Sequence, residues 1–92
     1  MMQIKYSSAF KGDLKAAKKS GKNLKLLAQV IEDLANGKSL DEKHRDHALK
    51  SNWKGYRECH IEPDWLLIYK IDNQQLILTA VRTGSHSKLF NL

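Results

Sequence analysis

Histidine is the side chain that exchanges protons most readily near neutral pH, which makes the histidines of this chain candidate proton carriers. The chain has four of them in 92 residues, at His44, His47, His60 and His86. None lies in the apolar stripe of a predicted helix or strand; they fall in loops or beside strand ends. A single histidine in such a place is commonly just a solvated side chain. Because there are four, three of them flanking predicted strands, the functional and structural interpretations are equally open.

Two of these histidines, together with an aspartate and an arginine, form a set of residues sufficient to cut RNA without a metal. The reaction needs one group to deprotonate the ribose 2′-OH, one to protonate the leaving 5′-oxygen, and a cation beside the phosphorane. Each acid or base contributes about 100- to 10,000-fold in rate. His60, Asp64 and His86 can transfer the protons and Arg82 can supply the cation. In an antiparallel meander, we expect these four residues to meet at one sheet edge.

A metal site is the alternative use of the same residues. His44 and His47 are three residues apart and His60 and Asp64 are four apart, and zinc ligands occur at such spacings. No cysteine pair or compact His-Glu motif accompanies them. The sequence therefore favours acid-base chemistry, with no metal and no cofactor.

The N-terminal half predicts one strand followed by two helices. Serine can cap the first helix and glycine can end it, and the second helix has a strong apolar face at helical spacing. The predicted elements are a strand over residues 2–6, a helix from Ser7 or Ser8 to Ser20 that stops at Gly21, and a helix capped by Asn23 that ends at Asn36-Gly37. Residues 38–52 predict a loop with a short helical turn after Ser39.

The C-terminal half predicts a sheet. Its elements are strands over residues 53–59, 65–71 and 75–82, a bend at 62–64, a turn at Asp72-Asn73, and a break at Thr83-Gly84 before a short tail. The expected fold is α+β with the order β-α-α-β-β-β. The two N-terminal helices would pack on one face of a mainly antiparallel sheet, in a single domain over residues 1–92.

The charge of the chain predicts an anionic partner, most commonly nucleic acid. Lys plus Arg total 16 against 10 acidic residues, a formal charge of +6. A basic ridge is expected along the first helix, as a phosphate-binding face or simply as a solvated one: Lys11, Lys15, Lys18 and Lys22. So small a chain favours an open groove over a deep cavity.

Three features of the sequence predict a cytoplasmic protein. Cys59 is the single cysteine, no apolar run is long enough to cross a bilayer, and residues 1–10 lack the apolar core of a secretion signal.

Two aromatic residues are candidates for stacking on a base rather than for the core. Trp65 directly follows Asp64, and Phe90 lies near the end of the chain. Stacking of this kind is worth about 1 to 3 kcal/mol per base in single-stranded recognition. Trp53, Tyr56 and Tyr69 are expected in the core.

Three sequence blocks carry a resemblance to a known family. They are Asp46-His47-Ala48-Leu49, the run WKGYRECHIEPDWLLIYK over residues 53–70, and RTGSHSKLF over residues 82–90. In order and spacing they resemble the YafQ branch of the RelE/ParE toxin superfamily. The N-terminal half agrees in pattern more than in residues.

The resemblance implies a bacterial type II toxin that enters the 30S ribosomal A site and cleaves mRNA there. It implies catalytic roles for His47, His60, Asp64, Arg82 and His86, and adds Trp65 and Phe90, with Lys54 and Arg57 as further candidates for binding substrate. His44 matches no functional position and is expected to be a solvated loop residue. The implied partner is an antitoxin with a ribbon-helix-helix half, and the complex of the two would bind operator DNA.

Two other functions remain open at this level. One is a toxin of the same fold that inhibits DNA gyrase, as in the ParE branch; the other is a basic RNA-binding module without catalysis. The cluster of histidines disfavours the first, because a protein-binding inhibitor has no use for proton-transfer groups. On the favoured interpretation, His86 is the general acid, His60 or Asp64 activates the 2′-OH, Arg82 neutralises the phosphorane, and His47 binds phosphate or shares the proton transfer.

Overall fold

Two helices pack on one face of a five-stranded sheet in the computed structural model, which describes residues 1–90. The elements in chain order are β1 (Gln3–Tyr6), α1 (Ser8–Lys19), α2 (Leu24–Ala35), β2 (His47–Ala48), β3 (Arg57–Glu62), β4 (Trp65–Asp72), β5 (Ile77–Gly84) and α3 (His86–Phe90). None of the helices within residues 1–90 has the length and apolar character that crossing a bilayer requires.

The strand order in the sheet is β1-β5-β4-β3-β2. β1 pairs in parallel with β5, whereas all other neighbouring strands are antiparallel. The prediction of an α+β fold with a mainly antiparallel sheet is therefore confirmed. The central strand β4 is buried from Trp65 to Tyr69, as its nearly continuous apolar sequence predicts.

The two long helices begin at the predicted caps. Ser7 Oγ accepts a hydrogen bond from the Phe10 amide at 2.9 Å, and Asn23 Oδ1 accepts one from the Lys25 amide at 3.1 Å. The apolar faces of α1 and α2 then cover one side of the sheet, where Phe10 and Leu27 pack in one cluster with residues of β3, β4 and β5.

The strand predicted over residues 53–59 is wrong in its bounds. Ser51–Trp53 form a short 3₁₀ turn, and Gly55 has a φ of +95°, a left-handed conformation that interrupts an extended chain. β3 therefore begins only at Arg57. Trp53 instead packs edge-on against Tyr56, with ring centroids 5.5 Å apart.

The predicted break at Thr83-Gly84 and the predicted tail are also wrong. β5 runs through both residues, because Thr83 pairs with Leu67 and its hydroxyl donates to the Leu66 carbonyl at 2.7 Å. The chain then forms α3, whose Leu89 packs on Leu66 and Ile68. The two-residue strand β2, inside a segment predicted as loop, was missed because an alternation this short has no signal.

β3 presents opposite faces to two different environments. Cys59 and Ile61 pack toward the long helices. Because side chains alternate along a strand, Glu58 and His60 point to the other side, the side on which α3 lies. The candidate chemistry is therefore separated from the main core by the thickness of the sheet.

Candidate active site

A buried carboxylate on β3 forms the centre of the candidate site. The side chain of Glu58 is only 5% exposed, yet its oxygens lie close to the Nε2 atoms of three histidines. Oε1 is 3.2 Å from His86 and 3.7 Å from His60, and Oε2 is 3.6 Å from His47. A buried carboxylate needs positive or hydrogen-bonding partners. Oε1 accepts no hydrogen bond within residues 1–90, so the nearby imidazole rings can serve this carboxylate through positive charge when they are protonated.

Backbone carbonyls determine which nitrogen exchanges protons in two of these rings. Nδ1 of His47 lies 2.6 Å from the Arg45 carbonyl oxygen, and Nδ1 of His60 lies 3.1 Å from that of Pro63. A carbonyl oxygen can only accept, so Nδ1 must carry the proton in both rings. In the neutral form of each ring, Nε2 is then the basic atom, and it faces Glu58.

His86 is held at the first turn of α3 between two carboxylates. Its Nε2 faces Glu58, and its Nδ1 lies 3.6 Å from Asp64 Oδ1. The same Asp64 oxygen accepts a hydrogen bond from the His86 amide at 3.3 Å, so Asp64 also caps α3. The structure thus brings together four of the predicted catalytic residues, His47, His60, Asp64 and His86, with one residue that was not predicted.

His44 is not the solvated residue expected from the sequence. It is partly buried, and its Nδ1 lies 2.6 Å from the carbonyl oxygen of His60. It therefore supports the backbone of β3 behind the candidate site, and its ring makes no ion pair with Glu58 within the described part of the chain.

Arg82 differs most from its predicted place. Its Nε donates to Asp13 Oδ2 at 2.6 Å and its Nη2 donates to Oδ1 at 3.1 Å, a bidentate pair with α1. Within residues 1–90, no hydrogen bond or ion pair joins Arg82 to Glu58 or to a histidine. The expectation that Arg82 meets His60, Asp64 and His86 in one set of contacts is wrong, because β5 has a register irregularity beside Arg82 and Asp13 draws the side chain to α1.

Asp13 is the most heavily bonded carboxylate of the fold. It also accepts from the Thr83 amide at 3.1 Å and lies 3.5 Å from Lys88 Nζ. Burial alone would raise the pKa of Asp13. The hydrogen bonds from Arg82 and Thr83 and the charges of Arg82 and Lys88 outweigh that cost, so the pKa of Asp13 lies below its ordinary value.

The aromatic candidates separate into one core residue and one site residue. Trp65 is 1% exposed and packs in the main core, so its ring offers no face to a base and the stacking expectation for Trp65 is wrong. Phe90 is partly buried, with its ring centroid 6.1 Å from that of His86 and 5.9 Å from that of Trp53. Phe90 is therefore beside the candidate site.

Lys54 and Arg57, the further candidates for binding substrate, differ in the contacts that they already make within the protein. Lys54 is exposed after the 3₁₀ turn. Arg57 is engaged with Asp46 at 3.3 Å and with the Tyr69 hydroxyl at 3.3 Å. The hydrogen bond to Tyr69, with those to Asp46, outweighs burial and raises the pKa of Arg57. Tyr69 itself donates to Asp46 at 2.5 Å, which anchors the segment that carries His47.

The basic ridge is present but shorter than expected. Lys11, Lys15 and Lys18 are exposed on α1, whereas Lys22 lies beyond the end of the helix at Lys19. Lys22 instead places its Nζ 5.8 Å from the centroid of the Trp65 ring.

Two residues important to this geometry were missed at the sequence level, although each left a signal. Glu58 is two residues from His60 on a strand, which puts both on the same face. Asp13 is the one acidic residue of α1 and falls at the apolar spacing of Phe10, Leu14 and Ala17. An acidic residue at a core position needs a cation beside it, and the partly buried Arg82 is that cation.

Comparison with known proteins assigns this chain to a family. Residues 2–91 match the family model described as bacterial toxin of type II toxin-antitoxin system, YafQ. The chain belongs to the YafQ family. Membership predicted from the three sequence blocks is thereby confirmed, and the match includes the N-terminal half, which resembled the family in pattern more than in residues.

Named relatives of the YafQ family cover nearly the whole chain. A protein of Escherichia coli strain B/BL21-DE3 named mRNA interferase toxin YafQ is 43% identical over 88 residues, which are 95% of this chain and 94% of that protein. A metal-bound toxin from Helicobacter pylori is 48% identical with a TM-score of 0.93, over 98% of this chain and all of that one. YafQ in the Escherichia coli DinJ-YafQ complex is 42% identical with a TM-score of 0.88, over 98% of this chain and 99% of that one.

Proposed function

We propose that this YafQ-family toxin is an mRNA interferase that cuts mRNA in the 30S A site, in the cytoplasm, by attack of the ribose 2′-OH. One observation carries the proposal: a single buried carboxylate, Glu58, lies within 3.2–3.7 Å of the Nε2 atoms of three histidines. Such a cluster supplies an acid and a base at fixed separation, which is what metal-independent phosphodiester cleavage requires. The name mRNA interferase on relatives that match along the chain supports the same activity.

In the mechanism we assign, His47 is the base and His86 is the acid. His47 is half-exposed and its Nδ1 proton is held by the Arg45 carbonyl. Its Nε2, 3.6 Å from Glu58 Oε2, is the atom we assign to the 2′-OH. The 2′-oxygen then bonds to phosphorus while the bond from phosphorus to the 5′-oxygen breaks. His86 gives its proton to that oxygen, which leaves a 2′,3′-cyclic phosphate and a 5′-hydroxyl.

We assign Glu58 and Asp64 to orienting the imidazole rings, not to proton transfer with the substrate. The two oxygens of Glu58 face the base and the acid separately, so one carboxylate holds both imidazoles in place. Asp64 lies beside Nδ1 of His86 and also accepts a hydrogen bond from the His86 amide, which holds the first turn of α3 in place. His60, mostly buried, completes the cluster from the same strand.

Arg82 is assigned to the phosphate through the nitrogen that Asp13 does not use. Asp13 takes Nε and Nη2, which fixes the plane of the guanidinium and leaves Nη1 for a phosphate oxygen. Lys54 and Arg57 are assigned to neighbouring phosphates of the mRNA. Phe90, which lies beside His86, is assigned to stacking on a base. The ridge of Lys11, Lys15 and Lys18 is assigned to ribosomal RNA.

The direct test uses ribosomes programmed with a defined mRNA, in the presence of EDTA. Wild-type protein is expected to cut, and a 2′-deoxy residue at the cut position is expected to prevent it. His86→Gln should slow the single-turnover rate by about 100-fold or more, whereas the matched change His44→Gln should retain most of it. No cutting by wild-type protein, combined with inhibition of DNA gyrase, would instead favour a ParE-like toxin; binding of RNA with neither would favour a basic RNA-binding module.

A sulfur-substituted substrate separates the acid from the base. A 5′-bridging thiolate leaves without a proton, so it removes the need for a general acid. His86→Gln should cut this substrate nearly as fast as wild type, whereas His47→Gln should remain slow. Equal rescue of the two variants would contradict the assignment of roles.

An antitoxin is the partner we propose. The DinJ-YafQ complexes are relatives at 39–42% identity that assemble with a second protein, and family membership makes this chain one half of a type II system. We assign the partner a ribbon-helix-helix half that binds operator DNA only as part of the complex. Co-expression with the neighbouring open reading frame, followed by purification and a mobility shift on the promoter DNA, tests this.

The cluster also has the composition of a transition-metal site, and we propose that a metal inhibits the toxin there. One ligand atom from each of Glu58, His60 and His86 lies within 4.8 Å of the others. The Nδ1 atoms of the two rings face a carbonyl and a carboxylate, the usual outer contacts of metal-binding histidines. The Helicobacter pylori relative is a metal-bound toxin, which supports this use.

A metal on these nitrogens would remove the lone pair or proton that the reaction needs. Zn²⁺ titrated into the protein should therefore lower mRNA cleavage, and EDTA should restore it, with His60→Ala weakening the inhibition. If EDTA abolished cleavage and Zn²⁺ restored it, the metal would be catalytic and the acid-base proposal would be overturned.

A further inference from the structure

An open groove lined by both polar and apolar residues lies on the helix side of Asp64. Its walls are the C-terminal half of α1, the bend that precedes β4 and the end of β5, and its volume is about 530 Å³. Small side chains leave the space open, among them Ala16, Ser20 and Gly84. A space of this size is in the range of small-molecule sites.

One residue of the groove lining carries a buried hydrogen-bond donor that has no partner within residues 1–90. Trp65 lines it, is 1% exposed, and its Nε1 has no hydrogen-bond acceptor within residues 1–90. Buried polar groups are almost always satisfied, because leaving one unpaired costs its hydration. An acceptor atom that enters the groove and reaches this N–H would replace the hydrogen bond to water that the group loses on folding.

Charged residues of both signs line the groove. Lys22 Nζ lies 5.8 Å from the centroid of the Trp65 ring, and Lys88 forms part of the same lining. The carboxylates of Glu62 and Asp64 line the groove as well. A nucleotide matches all three features, with a ring acceptor for the indole N–H, a phosphate for lysine, and hydroxyl or amino groups for the carboxylates.

Asp64 connects this groove to the candidate active site. One oxygen of its carboxylate lies 3.6 Å from His86 Nδ1 and 3.3 Å from the His86 amide, and the same residue lines the groove. An RNA strand positioned for cleavage at His86 therefore has an adjoining place for its next residue.

We infer that the groove binds one nucleotide of the mRNA next to the cut, with Trp65 Nε1 donating to an acceptor atom of its base and Lys22 close to its phosphate. The inference rests on the proposed function and extends it, because it makes this groove a determinant of which codon is cut. Trp65 then acts through its N–H from within the core, not through an exposed ring.

Nuclear magnetic resonance of the two indole N–H groups tests the inference on the free protein. Adenosine, guanosine, cytidine and uridine 5′-monophosphates are added separately to ¹⁵N-labelled protein, and Trp65→Phe assigns the signals. The Trp65 signal should shift in a saturable manner, more for some bases than for others. Lys22→Ala should weaken that binding by at least about fivefold, whereas Lys19→Ala, an exposed lysine outside the lining, should not.

Two results on the free protein would overturn the inference. One is a Trp65 signal that stays in place with every nucleotide; the other is equal binding by the Lys22→Ala and Lys19→Ala variants. Because no ribosome is present, these results are independent of whether the protein cuts mRNA.

A blocked groove extends the test to cleavage without altering the core. Ser20→Tyr places a large side chain at the exposed rim of the groove and leaves Trp65 unchanged. It should abolish the Trp65 shift and change the relative cutting rates among codons on programmed ribosomes, with the catalytic cluster intact. Unchanged codon preference would overturn the inference while the nuclease activity stood. Loss of antitoxin binding, with no response to nucleotides, would assign the groove to the antitoxin instead.

Discussion

At the scale of single residues, the most informative side chain is Glu58. Charged residues are seldom buried without partners, and Glu58 is buried beneath rings that carry a positive charge only when protonated. The carboxylate therefore makes the cluster behave as one unit: a change in any ring alters the environment of the others. Nonadditive effects of substitutions are expected wherever groups act together in this way.

Glu58→Gln is expected to lower the single-turnover cleavage rate by about 100-fold, because the amide keeps the shape but loses the charge that holds the imidazoles. The free energy of unfolding should change little or increase, since a buried charge is removed. Rapid-quench cleavage on programmed ribosomes and urea unfolding measure the two effects.

The exposed carboxylate of Glu32 on α2 provides the control for that change. Glu32→Gln should leave both the cleavage rate and the stability near their wild-type values. A Glu58→Gln protein that cut at the wild-type rate would show that the carboxylate has no part in the chemistry.

At the scale of elements, Asp13 is the tie between α1 and β5. It accepts hydrogen bonds from Arg82 and from the Thr83 amide, and its lysine contact comes from α3. A helix, a strand end and the short helix that carries His86 therefore meet on one buried carboxylate. The position of α3 depends on this tie as well as on Leu89 packing against Leu66 and Ile68.

Asp13→Asn should lower the free energy of unfolding by about 2 kcal/mol, because hydrogen bonds to a charged group are lost and Arg82 is left without its counter-ion. Asp33→Asn is the matched control. Its carboxylate lies 3.9 Å from an exposed lysine, and such surface pairs contribute about 0 to 1 kcal/mol. Urea denaturation at neutral pH compares the two, and equal effects would contradict the role of the tie.

The stability should also depend on pH through Asp13. Its pKa is lower in the folded protein than the ordinary value of 3.8, so its contribution is present at pH values above 3.8 and is lost as pH falls through the folded pKa. Wild-type protein should therefore lose more stability than Asp13→Asn between pH 4 and pH 2. Parallel pH profiles of the two proteins in urea denaturation would contradict this.

At the scale of the whole molecule, the net positive charge of +6 fits the ribosomal RNA partner proposed above. The exposed lysines of α1 lie on the helix side of the sheet, whereas the candidate catalytic cluster lies on the side of α3. The toxin would therefore contact RNA on more than one side, as a protein enclosed in a ribosomal site does. Contacts of that kind weaken steeply with salt, because binding releases counterions from phosphates.

Replacing Lys11, Lys15 and Lys18 together by Gln should weaken binding to empty 70S ribosomes and reduce its salt dependence. The slope of log K against log salt should fall by about 2, at somewhat less than one unit per phosphate contact. The triple change Lys25, Lys38 and Lys43 to Gln has the same net charge and should leave the slope nearly unchanged. Equal slopes for the two triple variants would show that net charge, not the α1 ridge, governs binding.

Local chemistry in the sequence determined much of this protein. Serine and asparagine caps, apolar periodicity and the apolar β4 were sufficient for the helices and the mainly antiparallel sheet, because each acts within a few residues. Polar residues beside predicted strand ends predicted that His60, Asp64 and His86 would lie together, and the family resemblance added His47. Only the tertiary structure decided that Glu58 joins them, that Arg82 pairs with Asp13, and that Trp65 is buried. Those outcomes depend on strand register and on contacts up to 70 residues apart, such as Thr83 with Asp13, and no local pattern encodes such contacts.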